Sequence, residues 1–213
     1  ALEIAQARYP KGHPERIHRR AEFAAYAYDG YRLELADRLL REAIPAAERV
    51  FGVRHPYTSS LYVLWANLCL VTSRYDEARA YLERTLKIRV MLFGEPSLQV
   101  AQTYHSYGRL LLRLRDAPGT LKAHARAMAT LEQLGQRDFF TVVVANDLAT
   151  ALARLEQYER AEEVFRRYLP LARQVTGARS MVVAQYLRNL GEVTFQLGRD
   201  EEVQRYAKAA HEM

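Results

Sequence analysis

Cysteine is nearly absent. Cys69 is the one thiol in 213 residues, so no internal disulfide can form and the composition suits a reducing compartment. Glycine and proline are also scarce, at 10 and 7, which leaves little material for the turns of an all-β protein. No long apolar run occurs: the longest, 61–71, holds Asn67 and is far shorter than the roughly 20 residues that cross a bilayer. The start, "ALEIAQARYPKG", has no apolar core of a signal peptide. These absences predict a cytoplasmic protein with no membrane partner. The motifs of common chemistry are missing too, with no Walker A, G-x-G-x-x-G, G-x-S-x-G or H-E-x-x-H sequence. His13, His18, His55, His105, His124 and His211 stand at no recurring metal-ligand spacing with Cys, Asp or Glu. No metal and no cofactor is therefore expected. With no constellation on which to place a reaction, the chain reads as a non-enzyme.

What is present is helix-forming. Ala, Leu, Arg and Glu abound, and a hydrophobic share of 49% with 26% charged residues is that of a folded protein. The formal net charge of +6 admits an acidic partner or nucleic acid. Arginines scattered over helix faces give the same total. Most of the tyrosines that could stack bases instead fall at core or turn positions, Tyr62, Tyr75, Tyr104, Tyr107 and Tyr158 among them. Nucleic-acid binding is disfavoured.

The chain repeats itself with a period near 42. His13-Pro14 falls on His55-Pro56, and Phe51-Gly52 on Phe93-Gly94. A small residue recurs at Ala24, Ala66, Gly108, Ala149 and Gly191, each preceded by a large apolar one: Phe23, Trp65, Tyr107, Leu148 and Leu190. A second small position recurs at Ala36, Ala78, Thr120, Ala161 and, more bulky, Val203. Four residues further on stand Leu40, Leu82, His124, Phe165 and Ala207. Small side chains at fixed phase let two helices approach closely, so Ala66, Ala149 and Gly191 are expected to be buried between paired helices. Apolar residues spaced by 3, 4 and 7 predict two amphipathic helices per unit. The expected first helices are 14–29, 56–72, 96–114, 138–155 and 179–197. Their partners are expected at 32–51, 75–93, 118–134, 158–176 and 200–212. Pro14, Pro56, Pro96 and Pro118 stand where helices should begin, and Asp138 and Asp200 read as N-caps. Pro45 and Pro170 share one repeat position inside a second helix and should kink or end it.

This pattern resembles the tetratricopeptide repeat, whose signature is W-x2-L-G-x2-Y followed by A-x3-F. Here Trp65-Ala66 with Ala78-x3-Leu82, and Leu190-Gly191 with Val203-x3-Ala207, carry the likeness. The long period and "FGVRHPYT" are similar to the 42-residue subtype of kinesin light chains. Repeat one departs at Arg20, and repeat three at Thr120 and His124, where helix pairing is least secure. The resemblance implies an all-α, right-handed α-solenoid of about five repeats, 13–54, 55–94, 95–136, 137–177 and 178–213, in one continuous array. The last repeat would double as a C-terminal cap. Residues 1–12 read as the tail of a truncated preceding repeat, and the whole as a fragment of a longer protein.

The resemblance also implies a function: a scaffold that binds a peptide or partner protein in a groove lined by first helices. Carried onto this chain, groove residues are Asn67, His105, Arg109, Arg113, Asn146, Arg154, Gln185 and Arg188. Asn67 and Asn146 would bond an extended peptide backbone. The cationic clamp of chaperone-binding members is not reproduced, since Val63 and Ser106 stand where it needs a base and an amide. Between 97 and 131, Arg109, Arg113, Arg115, Lys122 and Arg126 face Asp116 alone. With Arg154 and Arg188 they form a stripe suited to an acidic segment, unless Glu192 or other acids neutralise it. The alternative is a regulatory sensor controlling an attached kinase, protease or DNA-binding domain.

Overall fold

A computed structural model of the chain describes residues 9–10 and 12–211. Among these there are ten helices and no strand, the helix–turn–helix pairs of an all-α solenoid. The expected tail at 1–12 falls almost entirely outside the described residues. The helices belong to two compact units, divided between Glu95 and Pro96. The first unit holds α1 (Pro14–Asp29), α2 (Leu33–Val50), α3 (Pro56–Val71) and α4 (Tyr75–Phe93). The second holds α5 (Leu98–Arg113), α6 (Ala117–Gln133), α7 (Phe139–Arg154), α8 (Tyr158–Thr176), α9 (Met181–Gln196) and α10 (Asp200–His211). In each unit a helix packs on its partner in the pair, and a second helix packs on the next first helix.

Starts and stops follow from local chemistry. Ser97, Asp138 and Ser180 cap α5, α7 and α9, their side-chain oxygens accepting the N–H three residues on. His13 and His55 do the same for α1 and α3: each Nδ1 accepts the backbone N–H two residues on, at 3.2 Å, with proline occupying the first helical position between them. The turn inside each pair has a left-handed residue at Tyr31, Ser73, Arg115, Glu156 and Gly198. The following N–H returns five residues back, as in Arg32 to Ala27 and Asp116 to Leu111, satisfying a carbonyl left over at the helix end. Four of these five positions are not glycine. The turns between pairs do use glycine, at Gly52, Gly94, Gly135 and Gly177, all with positive φ.

Several expectations are corrected. Pro96 lies before α5 rather than in its first turn, because Ser97 is the cap. Asp200 is the first residue of α10, and the carbonyl that precedes that turn belongs to Arg199. Pro45 and Pro170 sit inside α2 and α8 without ending them. Ala66 and Ala149 are fully buried, but Gly191 is only half-buried. The departures at Arg20, Thr120 and His124 do not break the pairing. Arg20 pairs with Glu42 at 3.1 Å, and the His124 ring lies flush against Gly108, where a Cβ would meet it at 2.6 Å.

Candidate functional site

Asn67 belongs to the first unit. It sits half-buried on α3 with Oδ1 buried and no hydrogen-bond partner. Nearby, Trp65 is held between Arg41 and Arg74, whose guanidinium carbons lie 5.1 and 4.8 Å from its ring centre, while its N–H donates to Glu77 at 3.1 Å. Asp37 binds both arginines, at 2.6 and 2.7 Å. That cluster supports the fold: Trp65 is a core residue and Cys69 a buried thiol that burial pushes up to about 12, far from a reactive thiolate.

The other seven candidates lie on α5, α7 and α9 of the second unit. Three of them enter a polar ladder. Nε2 of His105 donates to Oδ2 of Asp147 at 2.9 Å, since an ionised carboxylate can only accept. Nδ2 of Asn146 donates to Oδ1 of Asp147 at 3.3 Å. Nδ2 of Asn189 donates to Oδ1 of Asn146 at 3.0 Å, and Nε2 of Gln185 donates to Oδ1 of Asn189 at 2.7 Å. Burial pushes Asp147 up, but its hydrogen bond and charge interaction with His105, helped by His124 and Asn146, hold it below the usual carboxylate range. Behind the ladder, His124 is fully buried with neither ring nitrogen bonded, and burial lowers it to about 4. Asp147 and Asn189 were not among the expected residues. A signal existed: Ser106, Asp147 and Asn189 are polar residues at one repeat position, each next to a predicted groove residue.

The ladder changes what Asn146 can do. Its oxygen and one N–H are engaged, so it offers a ligand at most one further N–H. The arginines are different. Arg109 is half-buried, and Arg113, Arg154 and Arg188 are exposed. None of the four pairs with a carboxylate among the described residues, Glu192 included, and Arg188 donates only to Gln185. Arg113 and Arg154 occupy the same position of successive first helices. Arg154 lines a cleft of 410 Å³ together with Thr150, Asn189, Glu192 and Gln196.

Comparison with known proteins fits this geometry. A model described as "Tetratricopeptide repeat" matches residues 57–133 and 140–213, and a second with the same description matches 17–57. The chain belongs to the tetratricopeptide repeat family. Its fold is similar to that of solved kinesin-light-chain-like repeat proteins: BtubC (BKLC) from P. vanneervenii superposes with a TM-score of 0.83 at 21% identity, over 99% of this chain and 85% of that one. A kinesin light chain with nearly identical TPR-like repeats from Podosopora anserina gives 0.78 at 14% identity, over 93% and 95%. In sequence, a clustered mitochondria protein homolog from Aedes aegypti is 29% identical over 128 residues, 58% of this chain. The chain spans 9% of that relative's length. As a tetratricopeptide repeat array, the protein has the fold of a protein-interaction scaffold. Among the described residues, no helix is long and apolar enough to cross a membrane.

Proposed function

We propose that the face formed by α5, α7 and α9 binds an acidic segment of a partner protein. The observation that carries this reading is the set of four guanidiniums, Arg109, Arg113, Arg154 and Arg188, on successive first helices with no carboxylate partner among the described residues. Arginine forks bind carboxylates bidentately, and each such bond, once desolvated, contributes about 1.5–3 kcal/mol. The ladder from Gln185 to His105 contributes by positioning: it uses up the amides, which leaves recognition to the arginines and to the free N–H of Asn146. The cytoplasm is the setting that suits a chain with one buried, inert thiol.

The test is a peptide array of acidic and neutral segments, probed with the wild type and with an Arg109→Ala/Arg113→Ala/Arg154→Ala variant. Acidic peptides should be retained by the wild type, lost at raised salt, and bound at least about tenfold more weakly by the variant. If both proteins keep the same ligands with the same salt dependence, the arginines are not the site. Preferential retention of single-stranded nucleic acid would replace the reading with another. A regulatory sensor role, in which capture here controls an attached domain, draws support from the relative in which the matching segment is a small part of a long protein.

A further inference from the structure

Each repeat position makes a row across the first helices of the second unit, and the rows differ in charge. One runs Arg113, Arg154, Gln196 and another Arg109, Thr150, Glu192. The second row passes from cation to anion between α5 and α9. The turn after the first helix reverses in the same way, from Arg115 to Glu156. Where the sign changes lies the cleft of 410 Å³ between α7 and α9, whose lining includes Thr150, Ala153, Arg154, Glu156, Glu192 and Gln196. Thr150 and Ala153 stand where α5 has the longer Arg109 and Leu112, and their short side chains leave the space. Both walls are helices of the array, tied together where Tyr186 donates from its hydroxyl to the carbonyl of Val142 at 2.6 Å and Asn189 donates to Asn146 at 3.0 Å. Arg154, Glu156 and Glu192 are exposed. Neither glutamate pairs with a cation among the described residues, and Arg154 and Glu192 do not pair with each other although both line the cleft.

We propose, building on the acidic-segment reading of this face, that the bound segment also carries one lysine or arginine, which enters this cleft. Neighbouring first helices lie about 9 Å apart, and an extended chain rises about 3.3 Å per residue, so roughly three residues carry it from one helix to the next. Read from α5 to α9, the segment has the pattern acid-x-x-acid-x-x-base. Arg109 and Arg113 hold the first acid, Arg154 the second, and Glu192 with Glu156 the base. An ammonium or guanidinium there has two carboxylates to bond, and the Thr150 hydroxyl and Gln196 carbonyl can accept its remaining N–H groups. A purely acidic chain would instead meet both glutamates with like charge, which weakens its binding. The reversal also fixes register: over arginines alone an acidic chain can slide, whereas a single base has one place to go.

The test uses three fluorescently labelled peptides with blocked ends, EGSEGSK, EGSKGSE and EGSEGSE, titrated against the chain at low salt and read by anisotropy. The first two have the same composition and differ only in where the base falls. EGSEGSK should bind roughly fivefold or more tightly than either of the others. On the protein, Glu192→Lys should reverse the order of EGSEGSK and EGSEGSE and leave thermal unfolding unchanged, since that side chain is exposed. If all three peptides bind alike, the base has no place in the cleft and this proposal falls, while the acidic-segment reading stands. If none binds, both fall. A preference for EGSEGSK that Glu192→Lys leaves intact puts the base elsewhere and overturns the proposal. Displacement of EGSEGSK by an equal concentration of free lysine would make the cleft a small-molecule site and overturn it too.

Discussion

The α5/α6 and α9/α10 pairs are written on the same template and end in opposite states. At one repeat position the first has Gly108 pressed against the His124 ring, and the second has Gly191 with no atom nearer to a built Cβ than Tyr206 Cβ at 3.7 Å. Four residues after their second small position, one has a buried histidine and the other an exposed alanine. A glycine in a repeat signature can thus mark either a contact already closed or a surface still open. Only the partner across from it distinguishes the two.

The sharpest way to test this contrast is pH. His124 lies near 4 when folded and near 6.5 when unfolded, so the unfolded chain takes up the proton first. Stability from this site is complete above pH 6.5 and falls by about 1.4 kcal/mol per pH unit down to 4. Asp147 acts in a different window, since its depressed value costs stability only as pH falls through the carboxylate range. Arg109 and His105 also face His124 and oppose its protonation. His124→Leu, with the residue used at Leu40 and Leu82, should flatten the difference between pH 6.5 and 5 seen in thermal unfolding. A slope equal to the wild type's would show that the ring escapes its pocket when charged.

Next comes the glycine pair. Gly108→Ala drives a Cβ into a buried ring and should cost about 1–3 kcal/mol. Gly191→Ala meets no obstacle and should gain up to about 1 kcal/mol from helix propensity. Equal effects in chemical unfolding would erase the distinction between closed and open pairs. The smallest effect is expected at the turns, where Arg115 and Gly198 share a left-handed backbone. Arg115→Gly should stabilise by up to about 1 kcal/mol, because the strain it relieves exceeds the backbone entropy it adds, and Gly198→Ala should destabilise by about 1 kcal/mol.

Helix limits were legible to within about two residues because period, proline and glycine all report on the local backbone. The five small positions were legible as a row, but not their burial, since Gly191 and Ala149 read alike in sequence and differ only in what packs on them. His13 and His55 were legible as a repeated His-Pro pair but not as caps, because histidine is not a usual cap. The arginines were found from the inward positions that the family resemblance implies and from the local excess of positive charge. Their lack of carboxylate partners was not legible, as it depends on where acids such as Glu192 point. Asp147 and Asn189 were passed over because a fixed set of inward positions left out the neighbouring position, where these two residues join one repeat to the next.

Those joints bear on how the second unit comes apart. In a linear array each repeat feels only its neighbours, so cooperativity depends on the strength of the links between them. His105–Asp147 and Asn146–Asn189 each tie one repeat to the following one, and the bond between Asn146 and Asp147 makes the two ties a single chain. Loosening α7 would strand polar groups on both α5 and α9. The middle repeat is therefore the one whose opening the others cannot ignore, whereas α10 is tied back to α8, where Arg166 pairs with Glu202 at 2.6 Å.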